Sequence, residues 1–138
     1  MDVAAIPRAP IAEVCRAAGL DLLVVHGSQV SGATHAESDI DLGFVKPHGP
    51  LELAARRRLE DGLGKVLGRH DLDLVDLRRV PGLVRHLASE RGAALFEARS
   101  GLFEAFRVLA WNLYQDERIQ IRRHDAEGLR RALETLRA

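Results

Sequence analysis

The stretch 24-VVHGSQVSGATHAESDIDLGF-44 decides how this chain is read, and its centre is 38-SDIDL-42. An apolar run ends in Gly-Ser, a polar segment follows, and two aspartates then appear one residue apart, flanked by Ile and Leu. Successive side chains of a strand point to opposite faces. Asp39 and Asp41 therefore share one face, while Ile40 and Leu42 anchor the other. At that spacing the two Cα atoms lie about 6.5–7 Å apart. With an effective dielectric of ~20, two carboxylates so placed repel by roughly 2.5 kcal/mol. A small domain is stable by only ~5–15 kcal/mol, so the repulsion is a sizeable fraction. Such a pair calls for positive charge between its members, or for exposure of one of them. Magnesium, a hard divalent cation that prefers carboxylate and phosphate oxygens, is the natural candidate.

A third acidic group comes from 71-DLDLVDL-77. Asp71 and Asp73 share one face of this expected strand, and Asp76 lies on the other. If the segment pairs beside 39-DIDLGFV-45, Asp73 at mid-strand completes a triad with Asp39 and Asp41. A register slip of one residue would exchange the faces and bring in Asp76 instead. Asp71 and Asp76 otherwise read as strand-end solubilising residues. Gly27 and Ser28 supply the other half of a site. Glycine after a buried strand permits a sharp turn and close backbone approach to a ligand. A serine at the start of a helical turn offers its hydroxyl and free N–H groups to phosphate oxygens. The GxxxxGK[ST] pattern of a P-loop is absent.

Gly-Ser followed by Asp-x-Asp, as it stands in 27-GSQVSGATHAESDID-41, resembles the nucleotidyltransferase signature of the DNA polymerase β superfamily. Its nearest likeness is to the minimal nucleotidyltransferases, which include the antitoxins paired with HEPN-domain toxins. The resemblance implies transfer of a nucleoside monophosphate, AMP from ATP, to a hydroxyl acceptor with release of pyrophosphate. It implies that Asp39, Asp41 and Asp73 are catalytic and hold two Mg2+ ions, with Asp73 serving the metal that activates the acceptor. Gly27 and Ser28 are expected to hold the β- and γ-phosphates. The implied acceptor is a tyrosine hydroxyl of a cognate HEPN ribonuclease toxin, which the modification blocks. Alternatives are a small-molecule, aminoglycoside-type nucleotidyltransferase and an antitoxin that acts by binding alone. The sequence departs from the pattern in two places. Gln29-Val30-Ser31-Gly32 lacks the basic residue many relatives carry there, and His26 stands where an aromatic residue is common.

Composition fits this reading. The chain has 138 residues, the size of one domain, with 46% apolar residues and zero formal charge. No electrostatic case for direct nucleic-acid binding arises. Residues 1–77 carry 12 acids and 8 bases, whereas residues 78–138 carry 8 acids and 12 bases. The acidic half thus holds the unusual aspartates and the basic half offers a partner surface. Cys15 is the only cysteine, which rules out an internal disulfide and thiolate zinc sites. The sequence shows neither a signal peptide nor a membrane span, so a cytoplasmic location is expected.

The expected class is α/β (α+β): a small mixed sheet with packed helices, a nucleotidyltransferase fold and a helical C-terminal segment. Residues 1–98 form the core, and residues 99–138 the C-terminal helical segment of the same domain. Helical spacing in 11-IAEVCRAAG-19 is followed by strands at 20-LDLLVVHG-27, 39-DIDLGFV-45 and 70-HDLDLVDL-77. Residues 51–68 read as an amphipathic helix, and another opens at Pro81 and closes at Gly92. From about Gly101 the pattern predicts two helices, broken near 116-DERIQIRRHD-125 with Asp125 as an N-cap. The six histidines, scattered without metal-ligand spacing, read as surface or structural residues. His35 and the Arg56-Arg57-Arg58 run read as solvated, and Trp111 with Tyr114 as core packing.

Overall fold

The computed structural model describes residues 2–27 and 39–137, and among them are four strands and four helices, preceded by a 3-10 turn. In order they are α1 (Arg8–Ala17), β1 (Leu22–His26), β2 (Ile40–Val45), α2 (Leu53–Leu67), β3 (Leu72–Asp76), α3 (Gly82–Arg91), β4 (Ala93–Glu97) and α4 (Leu102–Arg137). The sheet runs β3-β2-β1-β4. β1 is antiparallel to both β2 and β4, and β2 is parallel to β3. Crossover through α2 makes that parallel pair possible, since parallel neighbours need a long connection.

Strand alternation sorts the apolar residues onto two covered faces. Leu23, Val25, Ile40, Leu42, Phe44 and Leu74 face α1 and α2, where they meet Ile11, Cys15, Leu59 and Leu63. Leu22, Val24 and Leu77 face the other way, against Ala88 of α3 and Phe106 of α4. This two-sided burial explains why β1 is apolar at almost every position. Cys15 lies wholly inside the first cluster, and burial pushes its thiol up to about 12. We expect the native thiol to resist a maleimide or disulfide reagent at pH 8 and to react fully once the chain is unfolded, because the thiolate is the reactive form.

Several expectations are corrected. The first omitted a strand: 93-AALFE-97 is β4, paired with β1 at Leu22–Glu97 and Val25–Ala93. Its two alanines and five-residue length give it little strand character of its own, and pairing supplies the rest. The second placed a break near residues 116–125, yet α4 is one continuous helix of 36 residues. No Pro interrupts it, and Glu117 and the three arginines there are good helix formers. A third correction concerns Trp111, which is 46% exposed rather than in the core. Its ring packs on His86, which also stacks on Tyr114 at 4.9 Å.

Arg56 is not simply solvated. Its guanidinium pairs with Glu60 at 3.1 Å and donates to the Leu74 carbonyl of β3. No helix is long and apolar enough to cross a membrane among the described residues.

Candidate active site

Three polar side chains line up across the sheet on the face that carries α3 and α4. His26 ends β1 and is the register partner of Asp41 on β2, and Asp41 is in turn the partner of Asp73 on β3. Register partners on neighbouring strands stand about 5 Å apart and point to the same side. Ile40, Leu42, Leu72 and Leu74 fix this register by filling the opposite face, where a slip would bury the acids.

Asp39 lies immediately before β2, exposed, and its charge acts on Asp41. Burial pushes the Asp41 carboxyl above the usual carboxylate range. The nearby imidazole of His26 opposes that shift. The charges of Asp73 and Asp39, with a hydrogen bond between the Asp41 and Asp73 carboxyls, reinforce it. His26 is held below the ordinary histidine value by burial, against the pull of Asp41 and Asp73. Its Nε2 is buried with no hydrogen-bond partner among the described residues.

Gly27 closes the line. It has φ +75°, and a Cβ built there would stand 2.2 Å from Oδ2 of Asp41. The glycine is thus needed for two reasons, a left-handed turn and room for the carboxylate. Ser28, His35 and the loop residues Gln29-Val30-Ser31-Gly32 lie outside the described residues.

Of the sequence-predicted acids, the structure brings Asp41 and Asp73 together, with Asp39 beside them. Asp76 is on the other face, where it accepts from the Arg78 N–H at 2.9 Å and pairs with Arg79 at 3.7 Å. Asp71 is held by Arg69, at 2.8 Å for the Nε contact. Both behave as strand-end residues. His26 escaped sequence reasoning because its face depends on the antiparallel register with β2, which no local pattern discloses. Only its place just before Gly27 hinted at the site.

The arrangement fits a divalent cation that is only partly held by protein. Among the described residues no three acidic, histidine or cysteine side chains form a closed cage. Magnesium usually needs none, since it binds one or two carboxylates together with substrate phosphates. Two carboxyls on register-partner positions, one pushed toward its neutral form, are the donor set that such an ion would recharge.

Comparison with known proteins bears on the family and the fold. The family model for polymerase beta nucleotidyltransferases matches residues 10–100. The chain belongs to that family. It is a nucleotidyltransferase by membership, and residues 10–100 take in all four strands. No curated protein matches the chain significantly. Solved structures do. A chain of a toxin–antitoxin complex with AMP-PNP is 26% identical, with a TM-score of 0.68, over 88% of this chain and 98% of that one. A chain of the complex of a tri-AMPylated Shewanella oneidensis HEPN toxin with an MNT antitoxin is 23% identical, with a TM-score of 0.61, over 88% and 95%. A chain of the MntA–HepT toxin–antitoxin complex is likewise 23% identical, with a TM-score of 0.62, over 88% and 96%. The last two likenesses concern the fold.

Proposed function

We propose that this nucleotidyltransferase transfers AMP from ATP to a tyrosine hydroxyl of a cognate HEPN toxin and so acts as its cytoplasmic antitoxin. The observation that carries the reading is the Asp41–Asp73 register pair, two carboxyls whose closeness favours a bound cation and phosphates. The toxin–antitoxin complex solved with AMP-PNP and the AMPylated toxin solved with its MNT antitoxin support the choice of nucleotide and acceptor.

Asp39, Asp41 and Asp73 would hold two Mg2+ ions, which supply charge neutralisation on the phosphates and a more acidic acceptor hydroxyl. The acceptor oxygen bonds to the α-phosphorus as the bond from that phosphorus to the pyrophosphate oxygen breaks. Asp73, exposed beside Asp41, would take the hydroxyl proton. His26 stays neutral through burial, so it adds no charge of its own to the phosphate side. Gly27 keeps the Asp41 carboxylate clear of the turn, and Ser28 is assigned to the β- and γ-phosphates. The protein's share of the work is to position these groups.

The test is to incubate the protein with ATP, magnesium and the HEPN product of an adjacent gene, then locate added mass on the toxin. One or more AMP units on tyrosine are expected. Toxin neutralisation that survives in full with Asp39→Asn/Asp41→Asn would show an antitoxin that acts by binding alone. Nucleotide transfer to an aminoglycoside without any partner would favour the small-molecule reading.

A further inference from the structure

The far half of α4 carries surface that the fold leaves unused. Its last tie to α3 is Glu117, whose carboxylate accepts from the Gly82 N–H at 3.1 Å. From Ile119 to Leu136 every residue is exposed. Leu129 is 64% exposed and Leu136 is 82% exposed. Ile119, Ala126 and Leu133 recur at intervals of seven, and Arg122, Leu129 and Leu136 follow each of them by three. That spacing draws one continuous seam along a helix and is the pattern of helix-to-helix packing. Most of a helix's stability in a protein comes from packing of its apolar face, and an uncovered apolar seam marks an interaction surface.

Charge says what covers it. The positions bordering the seam carry Arg118, Arg123 and Arg130, with Arg122 inside it, and Asp125 is the one acid among them. A second copy of the chain fits poorly. Parallel two-fold pairing sets Arg122 on its own counterpart within the seam, and Arg118 against Arg123. Antiparallel pairing sets the Arg123 and Arg130 border against itself. An acidic partner escapes the arginine–arginine repulsion and gains pairing with Arg118, Arg123 and Arg130.

We propose that residues 119–136 dock by their apolar seam against a helical surface of another protein whose apolar ridge is bordered by Asp and Glu. Taking that protein to be the AMP acceptor rests on the function proposed above; the docking chemistry does not. Docking through a helix that projects beyond the core would tether a large acceptor beside the open site and raise its effective concentration there.

The probe is a synthetic helix with Leu at both seam positions and Glu at the bordering ones, with a twin carrying Lys at the borders. Fluorescence anisotropy with the full chain should show binding of the Glu peptide, weakening about tenfold or more from low to high salt. The Lys twin should bind at least about tenfold more weakly. Leu129→Glu/Leu133→Glu should abolish binding while leaving the melting curve of the core unchanged, and the chain should sediment as a monomer. The proposal is overturned by failure of the Glu peptide to bind, by equal binding of both peptides, or by binding that survives the double substitution. A dimer dissolved by those substitutions would overturn it too. No nucleotide enters this assay, so its failure and a failure of AMP transfer are read separately.

Discussion

Asp41→Asn will lower nucleotide transfer by at least about 10²–10³-fold, the scale of losing one charge-stabilising group, and will raise the melting temperature of the free protein. The second half follows from the direction of the Asp41 shift. Its carboxyl is pushed up by burial and by the charges of Asp73 and Asp39, so the folded state holds the proton more tightly than the unfolded chain. The stability this contributes is present at acid pH and is lost as pH rises through the raised value. At neutral pH the ionised group therefore opposes folding. Asparagine keeps the shape and removes the charge. Because Asp41 is only partly buried, solvent screening limits the gain to under about 1 kcal/mol, or roughly 2–5 °C for a domain of this size. Melting curves between pH 4 and 7 should converge at the acid end and part toward neutrality. A lower melting temperature for the variant at pH 7 would mean that the carboxylate is already satisfied in the free protein. Magnesium with a non-hydrolysable ATP analogue should stabilise the wild type and leave the variant almost unmoved.

Gly27→Ala should damage both stability and turnover. The backbone at φ +75° costs a non-glycine residue about 1–2 kcal/mol. The added Cβ also collides with Asp41, 2.2 Å from Oδ2 and 3.1 Å from Cγ. The carboxylate must turn away, and displacement of a positioning group by about 1 Å costs on the order of 10²-fold in rate. A double-mutant cycle separates the two effects. Transfer losses for Gly27→Ala and Asp41→Asn should be far from additive because both act through one carboxylate. The backbone part of the stability loss should persist in the Asp41→Asn background. Additive losses in transfer would sever the link between Gly27 and Asp41.

The sequence made the site more legible than the sheet that carries it. Asp39, Asp41 and Asp73 were readable because a strand's two-residue period forces like charges onto one face, a conflict no structural need explains. Asp73 was preferred to Asp76 for its mid-strand place, and the register of β2 with β3 sets Asp73 opposite Asp41. β4 was not readable, because Ala93 and Ala94 say nothing of strand until β1 pairs with them. His26 was missed for a related reason: its neighbour across the sheet is Asp41, fifteen residues away in the chain. The unbroken α4 runs through 116–125 although Asp125 offers an N-cap there, because no Gly or Pro in that stretch enforces a boundary.

The guanidinium of Arg56, seated on the Leu74 carbonyl, has a meaning for colloidal behaviour. β3 is an outermost strand, and in its parallel ladder with β2 the residues Asp71 and Leu77 bond inward, leaving Leu74 to face outward. An open rim of this kind invites a foreign strand to zip on, and a bulky cation planted at its midpoint blocks that route to fibrils. The strand that carries Asp73 thereby keeps its outer edge from becoming a template for clumping.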